Sequence, residues 1–244
     1  MNKYSIFFKK NNQNIKIKNL FLRIKFFLRK IIIVKQKNNF SEINWDDRFK
    51  KLGVYGLIDT RHPKNELSYV TKEQKRIIFP YFKSMLNGNE MNILDFGCGS
   101  GRFTHDLASI LRKRTGGGAV IGTDVTQGYI SLAKKKKTMN VKFIHSNFFF
   151  HEFKKNFDAV WVCMVFGGIS DDLLVQISRK ITMRLNPNGL LFIIEATGNS
   201  NKNGAWKIRT VKDLLSFFPK IRLKKIITYT DAGQEISIIA GRKF

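Results

Sequence analysis

The chain has 244 residues, with 44 lysines and arginines against 18 aspartates and glutamates, which gives a formal net charge of +26 at pH 7. At ~150 residues per domain, this length predicts one domain, or one domain with a substantial extension. Hydrophobic residues make up 43% of the chain and aromatic residues 13%, which excludes a largely disordered protein. Two cysteines, Cys98 and Cys163, are too few for a disulfide framework or a cysteine-based zinc site, so we expect a reducing, cytoplasmic setting.

The positive charge is distributed unevenly. Residues 1–40 carry +11, with 11 basic residues and no acidic one, and residues 41–244 carry the remaining +15. A basic excess of this size favours phosphate-rich partners, either nucleic acid or an anionic membrane. The alternative is a lysine-rich composition without a dedicated partner, and charge alone does not choose between the two.

Residues 14–37 predict a basic amphipathic helix. One helical face is apolar, and lysines and arginines line both of its flanks, a pattern typical of a helix that lies in an anionic membrane surface. An ordinary helix packed on the domain is the alternative. The longest apolar run, residues 31–34, is too short to span a bilayer, and charges interrupt every candidate core of a secretory signal. We therefore expect a cytoplasmic protein, peripheral at the membrane if this helix binds there.

Beyond residue 40 the pattern changes from helical to alternating. Residues 41–89 are helical in pattern, with Thr71 as a candidate helix cap and Pro80 as a kink. From Asn92 onward, short apolar runs alternate with amphipathic helices, which predicts a parallel sheet with crossover helices. The predicted strands are 92–96, 119–123, 141–145, 157–163, 190–195, 221–230 and 235–241. The last two are too close together for a crossover helix and must form an antiparallel hairpin.

Two of the later helices carry start signals. Asp171 and Asp172 are placed to open one of them, where acidic side chains favour the helix N-terminus. Thr210 and Asp213 have the spacing of a capping box for the last helix.

A glycine-rich turn follows the first predicted strand. Residues 93–103 read ILDFGCGSGRF, so that Gly97, Gly99 and Gly101 alternate between a strand and a helix. Such a turn lets the backbone approach a ligand closely and offers the free N–H groups of a helix N-terminus. Arg102 stands where the dinucleotide-binding fingerprint needs its third glycine. The segment instead resembles motif I of the class I S-adenosylmethionine-dependent methyltransferases.

Four further segments carry the same resemblance, in the order that the family requires. Asp124 ends the second strand, 23 residues after Gly101, where an acid accepts hydrogen bonds from ribose hydroxyls. Asn147 follows the third strand, where the family contacts the adenine amino group; turn formation is its alternative role. The fourth strand, FDAVWVCMVFGG, resembles motif IV, and LNPNGLLFIIEA resembles the family's turn before strand five. In that turn Asn188 replaces a glycine, which is tolerated because Asn accepts left-handed backbone angles.

The resemblance covers residues 90–244 and implies a specific fold. We expect an α/β, Rossmann-like, doubly wound sheet of seven strands, parallel except for an antiparallel last strand, with helices on both faces and an N-terminal helical cap. The predicted division is a basic extension (1–40), a helical cap region (41–89) and a methyltransferase domain (90–244). The implied cofactor is S-adenosylmethionine. The implied cofactor-binding residues are Asp95, Phe96, Gly97, Cys98, Gly99, Gly101, Asp124, Val125, Asn147 and Cys163.

For the acceptor half of the site, the sequence offers candidate residues but no assigned roles. In the cap, Tyr55, Arg61 and His62 are candidates to reach the methionine end of the cofactor or the acceptor, with Arg61 suited to pair with a carboxylate. Of the three histidines considered as a base, His62 is placed better than His145 or His151, but no catalytic residue is assigned. No metal-ligand cluster is evident.

Three functions stay open. We expect methyl transfer to a small molecule, with an RNA methyltransferase that uses the basic surface, or a non-catalytic module at the membrane, as the alternatives. The acceptor atom, the use of a base and the oligomeric state are not readable from the sequence.

Overall fold

The computed structural model describes residues 43–148, 151–199 and 206–244. The predicted amphipathic helix at 14–37, and with it the membrane interpretation, lies outside these ranges. The boundaries drawn between extension, cap and domain stay a prediction. Within the described ranges, no helix combines the length and the apolar character needed to cross a bilayer.

Seven strands form one mixed sheet in the order β3-β2-β1-β4-β5-β7-β6. The strands β1 to β5 are mutually parallel neighbours, and β7 is antiparallel to both β5 and β6. Their bounds are Asn92–Phe96 (β1), Ala119–Asp124 (β2), Val141–His145 (β3), Phe157–Cys163 (β4), Leu185–Ala196 (β5), Lys224–Asp231 (β6) and Gln234–Arg242 (β7). The predicted seven-stranded, Rossmann-like sheet with an antiparallel last strand is confirmed.

The helices lie between the strands and before the first of them. Their bounds are Trp45–Leu52 (α1), Leu67–Met85 (α2), Thr104–Thr115 (α3), Gln127–Ala133 (α4), Asp171–Arg184 (α5) and Val211–Ser216 (α6), with 3₁₀ turns at Gly53–Leu57, Lys64–Glu66 and Phe166–Gly168. Asp171 and Asp172 occupy the first turn of α5, and Thr210 and Asp213 form the predicted capping box of α6.

Two apolar cores cover the two faces of the sheet. On one face, α2 and α3 pack against a group of aromatic rings centred on Trp161, which is fully buried and stacks on Phe192 with ring centroids 5.2 Å apart. On the other face, α5 and α6 pack against the side chains of alternate strand positions, such as Leu191 and Ile193. Successive strand residues point to opposite faces, so strands buried on both sides read as unbroken apolar runs.

The described helices and strands differ from the predicted ones at a few boundaries. Helix α2 begins at Leu67, four residues before Thr71, so Thr71 lies inside the helix and is not its cap. Its hydroxyl instead accepts a hydrogen bond from Arg102 Nε at 3.1 Å. Pro80 is tolerated inside the same helix, and β6 begins at Lys224, three residues later than predicted.

Two turns contain residues with left-handed backbone angles. Asn188, which replaces the family's glycine before β5, has a φ of 58°, as expected for a residue that accepts the left-handed region. Ala232 and Gly233 join β6 to β7 with φ values of 48° and 74°. Positive φ at both central residues is the requirement of the two-residue hairpin turn that matches the twist of the strands.

Phe82 is one of the residues that pack α2 against the sheet, and its truncation should lower the stability of the protein. Its ring is fully buried and makes edge contacts with Trp161 at 5.1 Å and Phe192 at 5.2 Å. We expect Phe82→Ala to lower the free energy of unfolding by about 3–5 kcal/mol, because it leaves a cavity between helix and sheet. Tyr69 on the same helix is 63% exposed, so Tyr69→Ala should change stability little. Urea denaturation of both variants tests this, and equal effects would contradict it.

Candidate functional site

The glycine turn after β1 is built so that no side chain can cover its backbone. Gly97, Gly99 and Gly101 have φ values of 71°, 54° and 79°, which L residues rarely adopt. A Cβ at Gly97 would lie 2.4 Å from a methyl carbon of Val165, and one at Gly99 would lie 2.5 Å from a methyl carbon of Leu57. The three positions therefore require glycine on two independent grounds, backbone conformation and space.

The turn is attached to the end of β2 by successive backbone N–H groups. Gly97 N and Cys98 N both donate to the carbonyl of Thr123, at 2.8 and 3.0 Å, and Gly99 N donates to Asp124 Oδ2 at 2.8 Å. The other carboxylate oxygen of Asp124 accepts from Thr126 N at 2.8 Å. Burial raises the pKa of the Asp124 carboxyl, and these two N–H donors act in the opposite direction. Each oxygen keeps acceptor capacity on the rim of the turn.

The side chains beside Asp124 form an open, partly apolar face. Val125, the next residue, is 47% exposed although it is aliphatic. Asn147 is exposed two residues after β3, whose His145 is the register partner of Asp124. Phe96 is buried below, in edge contact with Phe148 at 4.8 Å. The structure thus brings four of the predicted site residues to one end of the sheet, between β1 and β3.

Asp95 and Cys98 are members of the predicted set that lie beneath the turn. Asp95 is buried and accepts a hydrogen bond from Thr104 Oγ1 at 2.6 Å, which ties β1 to the start of α3. Burial raises the pKa of Asp95 to about 7, and the nearby Asp124 acts in the same direction. Cys98 is also buried, which raises the pKa of its thiol. These two side chains support the turn from the inside.

The segment that follows β4, residues 164–167, is called the exit of β4 below. Its backbone is held by a residue that the sequence analysis did not identify. Glu195, buried on β5, accepts hydrogen bonds from the successive N–H groups of Val165, Phe166 (2.8 Å) and Gly167 (3.3 Å). Burial raises the pKa of its carboxyl to about 7, against the opposing effect of these donors. The sequence feature that could have pointed to Glu195 is a single acidic residue in the apolar run LLFIIEA. Met164, within the same exit, has a φ of 54°, an unusual conformation for a non-glycine residue.

Cys163 ends β4 at the same exit. Burial raises the pKa of its thiol well above the ordinary value, with Arg102 acting in the opposite direction. A thiol that stays protonated at neutral pH is poorly suited to act as a nucleophile. Its place at the strand end suits a residue that lines a pocket.

Two tryptophans stand over the turn that follows this exit. A Cβ at Gly167 would lie 2.2 Å from the Trp206 ring, and one at Gly168 would lie 2.8 Å from the Trp45 ring. The rings meet edge to face, with centroids 6.2 Å apart. The pair gives the carboxyl end of β4 an aromatic wall, contributed by α1 and by the segment before α6.

Arg102 is the cation that the structure places at the glycine turn, and sequence reasoning did not assign it. Its guanidinium donates to Thr71 Oγ1 (3.1 Å), to the carbonyl of Leu57 (2.8 Å) and to Gln74 Oε1 (2.5 Å), and forms no ion pair among the described residues. Burial lowers its pKa. The sequence feature that could have pointed to Arg102 is its place just before the N-terminus of a helix, where the helix dipole disfavours positive charge. Arg61, the predicted carboxylate partner, instead forms a two-point pair with Asp59 at the surface.

These residues fit an adenosyl cofactor of the predicted kind. The turn is a cradle that any Cβ would fill, Asp124 offers acceptors at its rim, and Arg102 offers a positive charge at its base. Among the described residues, no group of three or more histidine, cysteine, aspartate or glutamate side chains is placed to hold a metal ion. The arrangement can hold a nucleoside and orient its reactive end toward the exit of β4.

Asp95 gives the protein a measurable pH dependence. Because its pKa rises from 3.8 to about 7 on folding, the native state holds a proton between these values that the unfolded chain has released. The free energy of unfolding should therefore fall as the pH rises through this window. Asp95→Asn removes this contribution, so its free energy of unfolding should decrease less with pH than that of the wild type. Glu195 contributes equally to the pH dependence of both proteins. Urea denaturation at about pH 5 and about pH 7.5 measures it, and identical slopes for the two proteins would contradict it.

Comparison with known proteins supports the same interpretation. Residues 93–189 match the model of a methyltransferase domain family. A curated N-terminal Xaa-Pro-Lys N-methyltransferase 1 of Xenopus tropicalis is 31% identical over 109 residues, and an uncharacterized methyltransferase of Schizosaccharomyces pombe is 26% identical over 141 residues. These alignments cover 42% and 50% of this chain, and the chain spans less than half of either relative, 46% and 47%.

Solved structures share the fold at low sequence identity. The N-methyltransferase NodS of Bradyrhizobium japonicum, in complex with S-adenosyl-L-homocysteine, has a TM-score of 0.59 at 16% identity, over 81% of this chain and 99% of its own. The magnesium protoporphyrin IX methyltransferase of Synechocystis, with bound S-adenosylmethionine, has a TM-score of 0.61 at 14% identity, over 88% and 97% of the two chains. The family match over residues 93–189, the relatives and the shared fold support the resemblance of this chain to the class I S-adenosylmethionine-dependent methyltransferases.

Proposed function

We propose that the protein transfers the methyl group of S-adenosylmethionine to a small-molecule acceptor. The observation that carries this proposal is the Asp124 carboxylate, fixed by Gly99 N at 2.8 Å on the rim of a turn that only glycines can form. This arrangement combines a close-approach backbone with a fixed acceptor for ribose hydroxyls. The cofactor supplies an activated methyl group on a sulfonium, and the chain's own residues supply binding and orientation.

The cofactor would lie across the carboxyl ends of β1 to β4. In this proposal the ribose hydroxyls donate to Asp124, and the adenine lies against Val125 with its amino group near Asn147. Phe96 forms the floor of this part of the site, and the glycine turn faces the methionine portion. Cys163 borders the place where the methyl group meets the acceptor.

Arg102 is proposed to hold the methionine carboxylate. Its three protein partners are all neutral oxygens, so the described residues leave its charge without a directly bonded anion. A charge enclosed by protein is costly unless it is paired. The carboxylate of the cofactor is the anion expected beside this turn, and the surface pair of Arg61 with Asp59 leaves Arg102 as the better partner.

The acceptor would enter at the exit of β4, beside Met164 and the wall of Trp45 and Trp206. Glu195 holds the backbone of this exit in place through three N–H groups. Holding two reactants in line can remove ~7–11 kcal/mol from a barrier, so a rigid exit loop is useful to a transfer reaction. An aromatic wall favours an acceptor with a flat or apolar portion.

The exposed lysine tract of the domain, residues 134–137, does not favour RNA as the acceptor. Lys134 to Lys137 are exposed and precede β3, at the amino end of the sheet. The glycine turn and the exit of β4 lie at the carboxyl end. A nucleic acid bound by this tract would therefore approach the edge of the sheet that is remote from the proposed site.

Asp124 provides the direct test of cofactor binding. Asp124→Asn keeps the shape of the side chain but loses charge and one acceptor, and hydrogen bonds to charged groups contribute about 1.5–3 kcal/mol. We expect the affinity for S-adenosylmethionine to fall roughly 10- to 150-fold. Calorimetric titration measures it, with Asp172→Asn, an exposed acid in α5, as the control that should bind normally. An unchanged affinity in Asp124→Asn would refute the central assignment.

Arg102 is tested by two ligands that differ in the methionine portion. Arg102→Met should weaken binding of S-adenosylhomocysteine about 10-fold or more, because a charged hydrogen bond is lost. Binding of 5′-methylthioadenosine, which has no carboxylate, should change much less. Arg61→Ala should leave both affinities unchanged. Equal losses for the two ligands in Arg102→Met would show that Arg102 supports the turn and does not contact the carboxylate.

A further inference from the structure

We propose that His62 is the general base of the reaction, oriented by Asp231, and that the acceptor atom still carries a proton at neutral pH. The inference rests on the proposed function and adds the chemical class of the acceptor, a hydroxyl or an ammonium group. It follows from a chain of contacts that joins the cap, the terminal hairpin and the glycine turn.

The contact between His62 and Asp231 has the geometry of an orienting pair. His62 Nε2 lies 2.6 Å from Asp231 Oδ1, and both side chains are 17% exposed. The two residues are 169 positions apart in sequence, so the pairing is a product of the fold. An ionised carboxylate only accepts hydrogen bonds, which assigns the proton to Nε2. The other ring nitrogen, Nδ1, is then a lone-pair acceptor.

No hydrogen-bond partner occupies Nδ1 among the described residues. The ring contact of His62 is made through Nε2 alone, whereas His105 Nδ1 is engaged by Thr138 and His145 Nε2 by the carbonyl of Val125. His62 is therefore the histidine that combines a carboxylate on one nitrogen with an unengaged second nitrogen. This is the arrangement by which a base is held in the productive tautomer.

The pair is connected to the cofactor half of the site through two hydrogen bonds. Asp231 Oδ2 accepts from Gln74 Nε2 at 2.7 Å, and Gln74 Oε1 accepts from Arg102 at 2.5 Å. Asp231 is the last residue of β6, which runs in the same direction as β1 to β5. It therefore lies at the same edge of the sheet as Asp124 and Cys163. The pair thus lies at the carboxyl edge of the sheet, linked through Gln74 to Arg102.

The charged and titratable groups around the pair come from four elements. The cap loop contributes Asp59 and Arg61, β6 contributes Tyr229 and Asp231, the glycine turn contributes Arg102, and β4 contributes Cys163. The charge of Asp231 favours the charged forms of Arg61 and Arg102 from a distance, without a hydrogen bond to either.

The proposed step balances without an additional reactant. An ammonium acceptor first gives a proton to the base and so gains a lone pair, whereas a hydroxyl oxygen already has one. That lone pair forms a bond to the methyl carbon as the carbon–sulfur bond breaks, and the electrons of the carbon–sulfur bond remain on sulfur. The proton of the acceptor moves to His62 Nδ1, which becomes a cation facing Asp231. Release of that proton to solvent regenerates the base.

The experiment compares acceptors that differ in whether they keep their proton. At a mildly alkaline pH, phenol and benzylamine still hold their proton, whereas 4-nitrophenol is largely ionised and aniline is a neutral amine. Transfer of labelled methyl from S-adenosylmethionine to each probe is measured for the wild type, His62→Ala and Asp231→Asn. His151→Gln, a histidine outside the site, is the control.

We expect His62→Ala to lower kcat with phenol and benzylamine by about 10²- to 10⁴-fold, the usual contribution of a general base. Turnover of 4-nitrophenol and aniline should fall much less, and added imidazole should restore part of the loss. The affinity for S-adenosylhomocysteine should stay unchanged. The proposal would be overturned if His62→Ala lowered kcat equally for phenol and 4-nitrophenol and for benzylamine and aniline, or if it lowered kcat for none of them. A wild type that binds the cofactor but methylates none of the probes would refute the proposed function itself.

A spectroscopic measurement tests the pair even if a variant fails to fold. Long-range ¹H–¹⁵N spectra of the wild type, with its four histidines labelled, report the tautomer of each ring. His62 should carry its proton on Nε2. Asp231→Asn, whose amide can donate, should shift the proton toward Nδ1 and lower kcat with little change in KM. A wild-type His62 with its proton on Nδ1 would overturn the proposal.

Discussion

The site depends on one constraint: the turn after β1 is attached to the end of the neighbouring strand β2 by consecutive backbone N–H groups. Gly97 and Cys98 donate to the Thr123 carbonyl and Gly99 donates to Asp124. Backbone donors are part of every residue, so the attachment requires only that no Cβ interferes. This explains why glycine conformation, strand register and the carboxylate of Asp124 belong to a single local structure.

The same arrangement, consecutive backbone N–H groups that donate to a neighbouring strand, is found at the exit of β4. There Glu195 on the neighbouring strand β5 accepts from three consecutive N–H groups, as Asp124 and Thr123 together do for the first turn. Each turn that faces the proposed site is therefore held by an acid on the adjacent strand. Arg209 strengthens the second turn by donating to the carbonyls of Phe166 and Ile169 and to Asp171. The turn after β1 is proposed to hold the cofactor, and the turn after β4 is proposed to border the acceptor. Any further contacts to these two ligands would come from the cap region.

Much of the fold could be predicted from the sequence because its signals are local. Five apolar runs at crossover spacing, a hairpin too short for a helix, and Asn188 at a left-handed position all depend on neighbouring residues. The glycine turn and Asp124 were readable for the same reason. By contrast, Arg102, Glu195 and the pairing of His62 with Asp231 depend on side chains far apart in sequence. Arg61 was a reasonable candidate by chemistry, but Asp59, two residues away, takes its guanidinium.

The placement of β7 has a consequence for how the chain matures on the ribosome. β7 follows β6 in sequence, yet it lies between β5 and β6 and pairs with both. Until β7 emerges, the edge of β5 has no partner, and an unpaired strand edge invites association with other chains. Synthesis of this chain therefore passes through a stage in which its cofactor turn is complete while its sheet is still open.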